Sequence, residues 1–129
     1  MNYARIGKVI ESHDNALFRS VREKMTPVLN DTSLIEPMFA KFSLSYGDSY
    51  EDRILFISTI LVLFSPSTIY FDTKVENNVC LTLSSVMNMP HRQTITPFIS
   101  SSKAYFKGER FNRRVLELSK ELRNDTLAG

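Results

Sequence analysis

The run Ile54–Phe64, ILFISTILVLF, constrains this chain more than any other stretch, because it is apolar around its whole circumference. It falls far short of the roughly 20 residues a membrane span needs. It therefore has to be a core element that other elements surround. Its flanks identify it as a helix covering Tyr50 to Phe64. Tyr46-Gly47-Asp48-Ser49 reads as a turn, and Ser49 with Asp52 three residues later forms a variant of the capping box. Ser65-Pro66-Ser67 ends it. Taken alone, Asp48, Glu51 and Asp52 resemble paired catalytic carboxylates. At a helix N-terminus the macrodipole stabilises such charges by about 0.3–1 kcal/mol each, and this structural role is the preferred one.

Around this helix the pattern predicts an all-α, compact bundle of five to six helices in one domain, residues 1–129, a length at which about two-thirds of the unfolded surface is buried without help from disulfide or metal. Ile6, Val9, Ile10, Leu17, Val21 and Met25 recur at helical spacing, with Asp14 or Asn15 as a cap if the segment is two helices, and Pro27 stops it. Asn30-Asp31-Thr32-Ser33 supplies caps for a helix carrying Leu34, Ile35, Met38, Phe39 and Phe42, and Ser33 with Glu36 has capping-box spacing. Thr68-Ile69-Tyr70-Phe71 is β-branched and aromatic and can pair with Thr73-Lys74-Val75, so a short β-hairpin or an irregular loop is expected near 68–76. Asn77-Asn78 caps Val79–Met87, and Asn88 ends it. Thr96-Pro97 has the N-cap and N1 signature for a helix with Phe98, Ile99, Ser102, Tyr105 and Phe106. After Gly108, Glu109–Arg123 places Phe111, Val115, Leu118 and Leu122 on one side.

Enzymatic chemistry finds little support. His13 and His91 stand 78 positions apart in no ligand spacing, and no GxxxxGK[ST], GxGxxG or GxSxG motif is present. The hydroxyls of Ser84-Ser85 and Ser100-Ser101-Ser102 have no base beside them in sequence. The expectation is a non-enzyme with no metal, no small-molecule cofactor and no membrane partner. Met1–Ile10 lacks the apolar core of a secretion signal, and Cys80 is the single cysteine, which together point to a cytoplasmic protein.

Charge is distributed unevenly. Residues Met1–Thr26 carry +2, Pro27–Pro90 carry −4, and His91–Gly129 carry +4 from eight basic and four acidic side chains. A basic final third suits an anionic partner, of which nucleic acid is the commonest large one.

Within that third, Leu81–Phe106, LTLSSVMNMPHRQTITPFISSSKAYF, resembles the helix-turn-helix of small DNA-binding regulators of bacteria and phages. Leu83–Met87 is similar to the first helix, Asn88 stands where that family has glycine, and Met89 matches the apolar turn residue. Ile95 matches the apolar anchor of the second helix. The resemblance implies duplex DNA binding by a regulator or accessory factor. Arg92, Gln93 and Thr94 would read base edges. Lys103, Lys107, Arg110, Arg113 and Arg114 would clamp phosphates in a salt-sensitive way. The spacing departs from the family by one extra residue between Met89 and Ile95, and Pro97 falls at a helix-interior position. If the turn is extended and the helix begins at Pro97, then Arg92, Gln93 and Thr94 lie on a loop. The alternative is an assembly or adaptor protein of a phage or mobile element, whose exposed Phe98–Phe111 stripe docks on a protein or on a second copy, since aromatic and arginine side chains are favoured interface anchors.

Overall fold

The computed structural model describes residues 15–75, 78–89 and 92–128. Among these residues there are seven α-helices and no strand. The helices are α1 (Asn15–Met25), α2 (Ile35–Ser43), α3 (Tyr50–Phe64), α4 (Pro66–Phe71), α5 (Val79–Val86), α6 (Thr96–Phe106) and α7 (Glu109–Ala128). The expected positions Ile6, Val9 and Ile10 lie outside the described residues, as do Asn77 and His91.

Helix α3 is the axis on which α2, α4, α6 and α7 pack. Every residue from Ile54 to Phe64 is buried, as an all-round apolar helix requires. Ser49 caps it as expected, its hydroxyl accepting from the Asp52 N–H at 3.1 Å. The Asp52 carboxylate reaches back to the Gly47 N–H at 3.2 Å, and Asp48 binds Arg53 at 3.7 Å. These carboxylates serve the helix start, as the cap spacing implied.

On one flank of α3, Phe56 meets Phe39 and Phe42 of α2 at ring separations of 5.0 and 5.1 Å, and Tyr46 stacks on Phe42 at 4.5 Å. Burial of each such ring contributes about 1.5–3 kcal/mol. On the other flank Ile99, Ser102 and Phe106 of α6 and Val115, Leu118 and Leu122 of α7 are buried. These are positions the helical spacing selected. Among the described residues no helix is long and apolar enough to cross a membrane.

Several local expectations are corrected. The segment expected as a β-hairpin near 68–76 contains α4. Pro66 stands in its first turn, Ile69 is buried, and Asp72 stops it in a left-handed conformation with φ 59°. A proline pre-set for a helix start and a buried apolar face outweigh the strand preference of Thr68–Phe71. Thr68 Oγ1 then donates to the Lys74 carbonyl at 3.1 Å and Thr73 Oγ1 to Ser67 Oγ at 2.8 Å, curling the following chain back over the helix. This extra element takes the bundle beyond six helices.

Ser33 is also differently employed. Asp31 caps a 3-10 turn at Thr32–Leu34, accepting from both the N–H and the hydroxyl of Ser33, and α2 begins after it without a side-chain cap. Asn78 precedes α5 in a left-handed conformation and makes no side-chain cap. Asn88 does end α5, at φ 55°. The Met89 N–H bonds the Ser84 carbonyl at 2.8 Å and the Asn88 N–H bonds Ser85 at 3.2 Å, the two bonds of a Schellman stop.

Arg92–Ile95 forms a 3-10 turn of its own, and α6 starts at Thr96 with Ile95 rather than Thr96 as the N-cap residue. The helix start thus falls one residue before Pro97, and Arg92, Gln93 and Thr94 lie on the 3-10 turn that precedes it rather than on a loop.

Candidate functional site

Helices α6 and α7 are separated only by Lys107 and Gly108, so the chain turns a tight elbow there. The Gly108 N–H bonds the Tyr105 carbonyl at 3.0 Å, and the Asn112 side chain donates to the Phe106 carbonyl at 3.2 Å, so a residue of α7 caps the end of α6. A Cβ on Gly108 would stand 3.3 Å from the Tyr105 oxygen, tight enough to favour glycine at the bend.

This elbow turns one ring of the aromatic stripe outward. Tyr105 is 43% exposed and meets Phe111 edge to face at 5.4 Å. Tyr50, in the first turn of α3, is 51% exposed, lies 5.2 Å from Phe98 and hydrogen-bonds Ser101. Between the α3 start and the elbow opens a groove of about 680 Å³. Leu55, Tyr105 and Phe111 give it apolar walls; Glu51 and Asp52 line the α3 side, and Glu109, Arg110 and Arg114 the α7 side.

The basic residues singled out from the sequence divide between this groove and other surroundings. Arg110 and Arg114 line the groove, one turn apart on α7. The Arg114 guanidinium lies 5.3 Å over the Tyr46 ring, a cation–π contact. Arg113 pairs with Glu109 at 3.1 Å. Arg110 makes no hydrogen bond or ion pair among the described residues.

Lys103 and Lys107 line a different groove, of about 520 Å³, between α4 and α6. Lys103 is committed there, its ammonium 2.6 Å from the Asp72 carboxylate. That hydrogen bond and charge, with a smaller contribution from Lys107, hold the Asp72 carboxyl below the usual carboxylate range. Nearby, Lys24 of α1 sits 5.3 Å over the Tyr70 ring, and burial pushes the Tyr70 phenol upward.

Thr94 is exposed on the 3-10 turn and Ile95 is fully buried beneath it. The main chain of Arg92 and Gln93 belongs to the same turn, while their side chains lie outside the description. Lys120 and Arg123 are exposed on α7, as are Glu117, Glu121 and Asp125, so the later half of that helix presents both signs of charge. Among the described residues no group of three or more histidine, cysteine or carboxylate side chains could hold a metal.

Sequence reasoning did not bring Glu51 or Leu55 to this site. Comparison with known proteins finds no match for this chain among family models, curated proteins or solved structures.

Proposed function

We propose that this protein is a non-enzymatic adaptor or assembly factor that binds a partner protein in the groove between the α3 start and the α6–α7 elbow. One observation carries the reading: exposed Tyr105, its edge-to-face neighbour Phe111 and Leu55 line a groove flanked by Arg110 and Arg114. Rigid aromatic rings and arginine are the side chains that supply most binding energy at protein interfaces. The mixed charge along α7 suits a polar interface rim better than it suits a phosphate backbone, which repels Glu117, Glu121 and Asp125.

Duplex DNA binding is the second reading, favoured by the reversal at Asn88. Its left-handed backbone stands where helix-turn-helix proteins have glycine, and it is followed by the buried anchor Ile95. In that reading Arg92, Gln93 and Thr94 contact bases, while Lys107, Arg110, Arg113 and Arg114 contact phosphates. Lys103 would have to exchange Asp72 for a phosphate.

The readings separate in a paired experiment. A photo-crosslinking residue at position 105 is expected to trap one discrete protein in cells, an adduct that Phe111→Ser abolishes and that a crosslinker at exposed Leu44 does not give. A mixed-sequence duplex titrated at two salt concentrations is expected to bind weakly, and equally to the Arg113→Glu, Arg114→Glu double variant. Tight, salt-steep duplex binding lost in that variant would overturn the adaptor reading. Light scattering distinguishes a second copy of the chain from a different partner.

A further inference from the structure

We infer that the occupant of the elbow groove is an amphipathic helix of a partner protein, carrying acidic side chains one turn apart along the flank that meets α7. The inference rests on the adaptor reading and specifies its ligand. The described residues hold no strand, so no sheet edge is offered to an extended peptide, and the groove walls are helices whose backbone groups bond internally. A groove between helices receives the apolar ridge of an amphipathic helix, and the charges along this one match such a helix.

Charge fixes which ridge fits. Of the three carboxylates along the groove, Glu109 is offset by Arg113, while Asp52 keeps its charge at the Gly47 N–H and with Glu51 makes the α3 side negative. Arg110 has none among the described residues, and Arg114 lies over a ring rather than against a carboxylate. Their i, i+4 spacing puts two cationic heads one helical turn apart, matched by two carboxylates at the same spacing on a helix lying alongside. Glu51 lines the α3 side without a partner among the described residues and repels acid there. The partner helix is therefore acidic on one flank only, which sets its direction as well as its composition.

The test uses two synthetic helical peptides of about 15 residues. They share a ridge of leucines at i, i+3 and i+7, one flanked by Glu at i, i+4 and the other by Lys. Each is titrated into the isotopically labelled full chain at low salt. The Glu peptide is expected to bind roughly three- to tenfold more tightly, the sum of two exposed ion pairs, with shifts centred on Leu55, Tyr105 and Phe111. Arg110→Glu alone should erase the preference, and Arg110→Glu with Arg114→Glu should invert it.

Equal affinity of both peptides at Tyr105 and Phe111 would overturn the acidic-helix inference while leaving the groove a protein-docking site. Failure of the Glu peptide to shift those residues would overturn it too. If a duplex instead shifts Arg110 and Arg113, the adaptor reading falls with it.

Discussion

The two grooves that α6 borders differ in what their cations do. On the α4 side Lys103 is fastened to Asp72, and Lys107 adds to the field that keeps that carboxyl ionised, so positive charge there joins one helix to another. On the elbow side Arg110 stands unpaired among the described residues and shares a groove with Tyr105 and Phe111. A basic residue in the sequence of this final third is thus either a fastener or a contact, and only its neighbour tells which. The first kind is expected to register in stability, and the second in binding.

The comparison breaks most severely at Phe106, which α6 buries between the two grooves, 5.3 Å edge to face from Tyr70. Phe106→Ala should cost about 3–5 kcal/mol by leaving a cavity, seen as a large fall in the denaturant midpoint, and should disturb both grooves at once. Asn112→Ala removes the side-chain cap on the Phe106 carbonyl. It should cost about 1 kcal/mol and change Tyr105 and Phe111 resonances more than those of Tyr70, which confines its effect to the elbow.

Acid sharpens the contrast. Because the folded Asp72 pKa lies below its unfolded value, its stabilising contribution is complete above the unfolded pKa of 3.8 and is lost as pH falls through the folded one. Thermal melts of wild type against Asp72→Asn, followed downward from about pH 5, should converge as the pH drops. A constant gap would mean that Lys103 is held by something other than the charge. The smallest stability effect is predicted for Arg110→Ala, within about 0.5 kcal/mol of wild type, even though Arg110 is central to the binding proposed here. A larger loss would make it a fastener like Lys103.

The helices were legible wherever local signals agreed. Ser49, Asp52 and the uninterrupted apolar run defined α3, and the spacing of Val115, Leu118 and Leu122 defined the buried side of α7. Helix α4 was not legible, because the strand preference of Thr68–Phe71 is local whereas the burial of Ile69 depends on neighbours distant in sequence. For the candidate site, Tyr105, Phe111, Arg110 and Arg114 could be read from the interleaving of rings and charges. Their companions Glu51 and Leu55 could not, since they come from fifty or more positions earlier and meet the elbow only through the packing of α3 on α6 and α7. The pairing of Lys103 with Asp72 has the same origin, because the carboxylate arrives on the end of the helix that was not foreseen.

Helix α1 is attached to the bundle differently from the rest. It packs on the short helix α4, with Lys24 over Tyr70, while the chain just after it is tied by the Val28 and Leu29 N–H groups to the Leu63 carbonyl. Such an element can open without dismantling anything else. Its amides should exchange with deuterium by a local excursion, well before those of α3, whose protons await unfolding of the whole. The tie at Leu63 marks the boundary where the fast regime gives way to the slow one.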